Sequence, residues 1–322
     1  MTGIITNISS FLYAAILAGV PLLFGTVGEI ITQKAGNLNL GVEGMMYMGA
    51  IFGFIGGYIT PSPVLSILFA FLGGMLGALI YAILTVSFKA NQNVTGLTLA
   101  IFGAGLANFL GERLIGASPT GAAVVVDSVK LAFRPMKLGG LHEIPYIGKL
   151  FFEHGILTYL AIVIALGAGI YLNHSQKGLN LRAVGENPAA ADAAGINVTL
   201  YKYIHILAGG GICGLGGAYI AMVTCAGNWT YNCVAGQGWI AVALVIFSSW
   251  SPYRAILGAL FFGGLSVLRL YIPNSLIQIP TAIFAMVPFV VTCIVLVVTS
   301  ANMKKENQQP KGTGINYFRE ER

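Results

Sequence analysis

Residues Gly178–Lys202 read GLNLRAVGENPAAADAAGINVTLYK, a long polar connection with apolar runs on both sides and a helix written inside it. Asn187 is a good N-cap, able to accept from the free N–H groups of a first helical turn. Pro188 follows at the first helical position, where its missing N–H costs nothing and its φ is already helical. Ala189-Ala190-Ala191-Asp192-Ala193-Ala194 is the best helix-forming run in the chain, and Gly195 is placed to close it in a left-handed conformation. A helix of about two turns is expected over 187–195. Such a piece is too short to stand alone in water, so its loop and whatever it docks against must hold it. Its face is small and smooth, with the carboxylates of Glu186 and Asp192 on either side of the cap. It reads either as an ordered connection or as an element that a partner grips and pushes.

The flanks of this stretch decide the class. The chain has 322 residues, 56% hydrophobic and 9% charged, with a mean hydropathy of +0.81. A soluble domain carries roughly 25% charged residues, so this composition is built for lipid. Apolar runs recur at 10–31, 40–59, 64–88, 94–112, 155–173, 203–224, 237–250, 253–272 and 280–300. Each is read as long enough to cross a hydrocarbon core about 30 Å thick. They do not alternate as barrel strands would. The class is all-α, a polytopic helical membrane protein of about nine spans. One transmembrane unit, 1–302, is expected, with an inner loop at 174–202 and an external loop at 114–154. The segment 303–322 follows as a cytoplasmic tail.

Lys and Arg set the expected orientation. Met1–Ser10 has neither, whereas Lys304, Lys305, Lys311, Arg319 and Arg322 crowd the C-terminus. With that tail inside, Lys34, Lys89, Lys177, Arg182, Lys202 and Arg254 also fall inside. An odd number of spans then puts the N-terminus outside. No basic n-region precedes Phe11–Phe24, which argues against a cleaved signal peptide. The formal charge of +6 follows from this bias and does not point to nucleic acid.

Two stretches are similar at a constant offset: Ser62-Pro63 with Ile67, Leu68, Ala70, Gly74 and Leu79, and Ser251-Pro252 with Ile256, Leu257, Ala259, Gly263 and Leu268. The first runs inward and the second outward, as in the inverted repeats of transporters. Gly49, Gly53 and Gly57 share a helix face, as do Gly73 and Gly77, which suits close helix packing in lipid. The Gly209–Gly217 run lacks the Lys-Ser/Thr ending of a phosphate loop and lies inside a span. No Walker motif, Ser-His-Asp set or metal constellation is visible, so neither ATP hydrolysis nor another enzyme activity is expected of this chain. Cys225 and Cys233 share a short outer loop and could pair. Glu43, beside Asn39, falls near a helix N-terminus, where capping or a pair with Lys34 would explain it.

Four stretches carry a family resemblance. They are Lys34-Ala-Gly-Asn-Leu-Asn-Leu-Gly-Val-Glu-Gly-Met-Met46, Ala90-Asn-Gln-Asn-Val-Thr-Gly-Leu97, Gly178–Asn197 and Gly236-Gln-Gly-Trp-Ile-Ala-Val-Ala-Leu-Val-Ile-Phe247. The run Ile144-Pro-Tyr-Ile-Gly-Lys-Leu-Phe-Phe152 adds to them. The sequence resembles the permease subunits of bacterial ABC importers for nucleosides and simple sugars, the branch served by basic-membrane-protein-type binding lipoproteins. The polar Asn93-Val94-Thr95 and the Cys225–Cys233 loop depart from the pattern.

The resemblance implies a type II ABC importer-like subunit of the bacterial inner membrane. A separate ATPase, holding the ATP and magnesium, would grip the 187–195 helix through Glu186, Asn187, Pro188, Ala190, Asp192 and Gly195. A second homologous permease would complete the pathway, and an external binding lipoprotein would land on the 114–154 and 225–236 loops. The pathway candidates are Asn39, Glu43, Asn91, Asn93, Thr95 and Thr98. Trp229, Tyr231 and Asn232 form a candidate outer vestibule able to stack a ring. This chain itself needs no cofactor. Simple sugars, riboflavin and branched-chain amino acids are the alternative solutes. A secondary carrier would instead need carboxylates paired in mid-span.

Overall fold

A computed structural model describes residues 2–137, 139, 147–271, 286–287, 289–294, 297 and 308–318, those at 2–7 and 269 by backbone alone. The helices in chain order are α1 (Thr2–Lys34), α2 (Val42–Ile59), α3 (Pro63–Ala82), α4 (Gln92–Ala117), α5 (Asp127–Ala132), α6 (Ile147–Phe152) and α7 (Ile156–His174). Then come α8 (Gln176–Glu186), α9 (Pro188–Ala193), α10 (Val198–Tyr219), α11 (Gln237–Phe247) and α12 (Pro252–Tyr271). Single π-helical turns extend α3 over Ile83–Ser87 and α10 over Ile220–Thr224. Two short strands, β1 (Met136–Lys137) and β2 (Glu153–His154), pair antiparallel with Met136 opposite His154.

Among the described residues six helices are long and apolar enough to cross a membrane, and each matches one of the first six expected spans. The seventh differs. Gln237–Phe247 has 11 residues, about 16 Å of helix, which cannot cross 30 Å of hydrocarbon unaided. Most of the expected ninth span, 280–300, lies outside the described residues, as do 303–307 and 319–322 of the tail.

Four helices, α1, α2, α3 and α10, make the centre of the bundle. Glycines let them touch backbone to backbone: a β-carbon on Gly49 or Gly74 would collide with the main chain at Gly214 of α10. The Gly209–Gly217 run is buried in this contact, a packing surface rather than a phosphate loop. Tyr47, Tyr81, Phe24, Phe54 and Phe262 are among the largest fully buried side chains of the bundle.

The two ends of the bundle are distinct. At one, Val126 N–H donates to Gly57 O (3.1 Å), Trp229 N–H to Ala123 O (3.0 Å) and Tyr271 Oη to Ser10 O (2.8 Å). At the other, Trp250 Nε1 donates to Gln33 Oε1 (2.6 Å) and Gly312 N–H to Gly185 O (2.9 Å). Lys34, Arg182 and Arg254 line one cleft at this second end, and Lys89 lines another there beside Tyr317. The start of α1 and the segment 308–318 therefore sit at opposite ends. Helices α3 and α12, the two similar stretches, each carry Pro at their first position and start from opposite ends.

Candidate functional site

The end of the bundle that carries the tail presents α8 and α9. Ser175 caps α8 by accepting from Gly178 N–H (2.9 Å). Asn187 then breaks the helix in an extended conformation (φ −151°) and starts α9, its Oδ1 accepting from Ala190 N–H at 3.0 Å. Pro188 occupies the first helical position. Gly195 has φ +83°; its N–H donates to Asp192 O and Ile196 N–H to Ala191 O, both at 3.0 Å. That pair of bonds is a Schellman closure, which the left-handed glycine permits. The helix has six residues, shorter than the two turns expected, and α8 before it falls where the sequence suggested only loop.

A small core of its own seats α9. Val184, Ala191 and Val198 are buried together, with Ile196, Tyr201 and Tyr317 packed against them. Ala190, Ala193, Ala194, Glu186 and Asn187 remain exposed, while Asp192 is half-buried on the other flank and accepts from Tyr317 Oη (2.8 Å). The outcome is a rigid, smooth, two-capped knob with an open alanine face. Lys89, in the α3–α4 connection, lies beside it with Phe318 over its amino group, and partial burial lowers that group's pKa.

A second constellation lies inside the bundle. The segment 35–41 climbs from the end of α1 so that Asn39 N–H meets Glu29 Oε1 (3.1 Å), and α2 begins against Leu99 of α4. Leu99 is about 10 Å along α4 from Gln92. From the opposite end, 225–236 descends. Trp229 packs edge-on against Phe54, Asn232 N–H donates to Asn108 Oδ1 (3.0 Å), and Tyr47 Oη donates to Asn232 Oδ1. The descending segment and α2 meet at Glu43. One carboxylate oxygen accepts from Gly236 N–H (2.8 Å) and the other from Gly238 N–H (2.6 Å). Glu43 thus caps the first turn of α11, the half-length helix, instead of pairing with Lys34. Gly236 adopts φ +86°, and any β-carbon on Gly238 would strike the main chain of Glu43. Non-helical backbone at such depth is tolerated where protein satisfies it.

The remaining candidates divide. Asn39 is buried and turns its own loop, Oδ1 accepting from Gly41 N–H (2.9 Å). Asn91 caps α4 through Val94 N–H (3.1 Å), and Thr95 is buried with its hydroxyl on Asn91 O (2.8 Å). Asn93 and Thr98 are exposed on the outer face of α4. Trp229, at 7% exposure, is a packing residue, and the free ring of its loop is Tyr231 at 66%. Cys225 and Cys233 are both free thiols. Sequence reasoning passed over Asn108, Tyr47 and the half-exposed Trp239 of α11, although Trp239 stood inside a quoted motif. It placed Glu29 only at the inner end of the first span and passed over Gln33 and Trp250, yet a chain of bonds (2.8 Å from Gln33 Nε2 to Glu29, 2.6 Å from Trp250 to Gln33) ties the α11–α12 turn to α1. Among the described residues no cluster could hold a metal ion.

Comparison with known proteins places this architecture. The NupC nucleoside ABC transporter permease protein of Lactococcus lactis subsp. cremoris is 36% identical over 309 residues, 93% of each chain. The NupQ guanosine ABC transporter permease protein of Bacillus subtilis is 32% identical over 329 aligned positions, 99% of each. A candidate glucose ABC transporter permease protein, TsgC13 of Haloferax volcanii, is 36% identical over 262 residues, 81% of this chain and 77% of its own. The family model described as branched-chain amino acid transport system / permease component matches residues 10–296. With nearly the whole membrane unit matched, this chain belongs to that permease family.

Proposed function

We propose that this permease carries nucleosides inward, driven by a separate ATPase that grips α9. The observation that carries the coupling role is the build of α9: capped at both ends, seated on its own core, and open on one small-residue face. Glu186 and Asn187 edge that face and would meet basic or amide groups of the ATPase, which holds the ATP and magnesium. The end bearing α8, α9 and the tail faces the cytoplasm in this reading, in keeping with its Lys and Arg residues. The N-terminus is then external. An external binding lipoprotein would deliver solute at the opposite end, and a second permease would supply the other wall of the pathway.

The nucleoside assignment rests on NupC and NupQ, and the geometry suits an uncharged ring-bearing solute. Glu43 already meets the positive end of the α11 dipole, so that end offers no anion site. The exposed rings of Trp239 and Tyr231 offer apolar faces. Simple sugars are the second reading, favoured by the likeness to TsgC13. The test is ATP-dependent uptake of labelled guanosine into proteoliposomes holding the complete complex. Unlabelled nucleosides should compete, while glucose, riboflavin and leucine should not. Competition by glucose or leucine with none by nucleosides would overturn the assignment.

A further inference from the structure

The tail residues 310–318 lie against the back of α9 and the end of α8. Lys311 N–H donates to Glu186 Oε2 (3.3 Å) and Gly312 N–H to Gly185 O (2.9 Å). Thr313 Oγ1 reaches Gln33 O at 3.4 Å. Tyr317 packs its half-buried ring against Val184, Ala191 and Val198 and donates its hydroxyl to Asp192 Oδ2. Asn316, one residue earlier, points the other way: its Nδ2 donates to Lys89 O (2.6 Å), and its Oδ1 accepts from Gln92 Nε2 (3.2 Å). Gln92 is buried in the first turn of α4, and its Oε1 accepts from Leu38 N–H (2.7 Å). Two adjacent tail residues thus join α9 to the start of α4 and, through Leu38, to the segment that leads into Glu43 and α2. The open face of α9 stays uncovered, so the tail backs the knob without blocking it.

We propose that Asn316 and Tyr317 are positioning residues for transport, a strap through which displacement of α9 is passed to α4. This rests on the coupling role of α9. Three side-chain hydrogen bonds and one half-buried ring make the link short and stiff.

The test uses the complete complex in proteoliposomes, with spin labels on cysteines placed at Ala183, Asn93 and a fixed reference in α7. Ala183 is exposed in the last turn of α8, which packs with α9 through Val184, and lies outside the open face. Three chains are compared: the parent, Tyr317→Phe joined to Asn316→Ala, and the conservative Asn316→Asp. Tyr317→Phe keeps the ring against its core, so α9 stays seated. In the parent, ATP should move both labels relative to the reference. In the double variant the Ala183 label should still move while the Asn93 label does not. Solute carried per ATP should then fall about tenfold or more, the order expected for three lost hydrogen bonds. Asn316→Asp, which keeps the acceptor for Gln92, should fall between the two. If Asn93 still follows Ala183 in the double variant with solute per ATP unchanged, the strap is overturned. An Ala183 label that stays still in the parent would overturn the coupling role itself, a separate outcome.

Discussion

Glu43 holds the first turn of α11 through two backbone amides that lie 193 and 195 residues further along the chain. Hydrogen bonds to a charged acceptor contribute roughly 1.5–3 kcal/mol each. Glu43→Ala strands both amides in a buried site and should cost about 3 kcal/mol or more, read as a lower unfolding temperature of the purified protein in detergent. Glu43→Gln keeps one acceptor oxygen and should cost about half as much. An alanine variant that melts like the parent would show that the cap carries no weight. This partnership was not legible in the sequence, where Glu43 reads only as a carboxylate near a helix start. The caps of α9 were legible, because Asn187, Pro188 and Gly195 act within four residues of the groups they satisfy. Local rules see local bonds.

At the scale of elements, α9 depends on Gly195 for its ending. A β-branched valine at φ +83° strains a left-handed position by roughly 1–2 kcal/mol. Gly195→Val should therefore loosen the Schellman closure, seen as faster amide exchange at Gly195 and Ile196 with α10 unaffected. Unchanged protection at those two amides would show that the ending is held by other means. The six membrane-length helices among the described residues were readable because length and apolar content suffice to identify a span. Two elements were not. Helix α8 contains Gly178 and Gly185 and little apolar surface, so neither propensity nor periodicity marks it. Both glycines are there for close approach: a β-carbon on Gly178 would meet Tyr171 O, and one on Gly185 would meet Lys34 O. The 225–236 segment has the Trp, Tyr and Asn of an interfacial loop, yet Asn108, Tyr47 and Glu43 draw it into the bundle one contact at a time. Its partners belong to α2 and α4, far away in the chain, and no window of sequence holds them together.

Across the whole molecule, the start of α1 and the tail sit at opposite ends, as an odd number of crossings requires. Cysteines placed at Thr6 and Thr313 should accordingly react with an impermeant maleimide from opposite sides of the membrane: Thr6 in intact spheroplasts, Thr313 only after permeabilisation. Labelling of both from one side would refute the arrangement. The charge bias of the sequence pointed to this orientation, but it could not show that the basic tail returns to α9, because the contacts of Asn316 and Tyr317 depend on folded geometry. What joins the scales is the claim that α9 receives work from a separate ATPase, and it is testable at its open face. Ala190 is exposed and contributes only its backbone amide to the cap, so Ala190→Trp and Glu186→Lys spoil that face while leaving the helix formed. The measurement is solute imported per ATP hydrolysed by the complete complex in proteoliposomes, with subunit co-purification alongside. Expected is a fall of about tenfold or more, the effect of losing about 1.4 kcal/mol of coupling, with delivery by the binding protein intact. Import per ATP equal to the parent in both variants, with all subunits present, would contradict it.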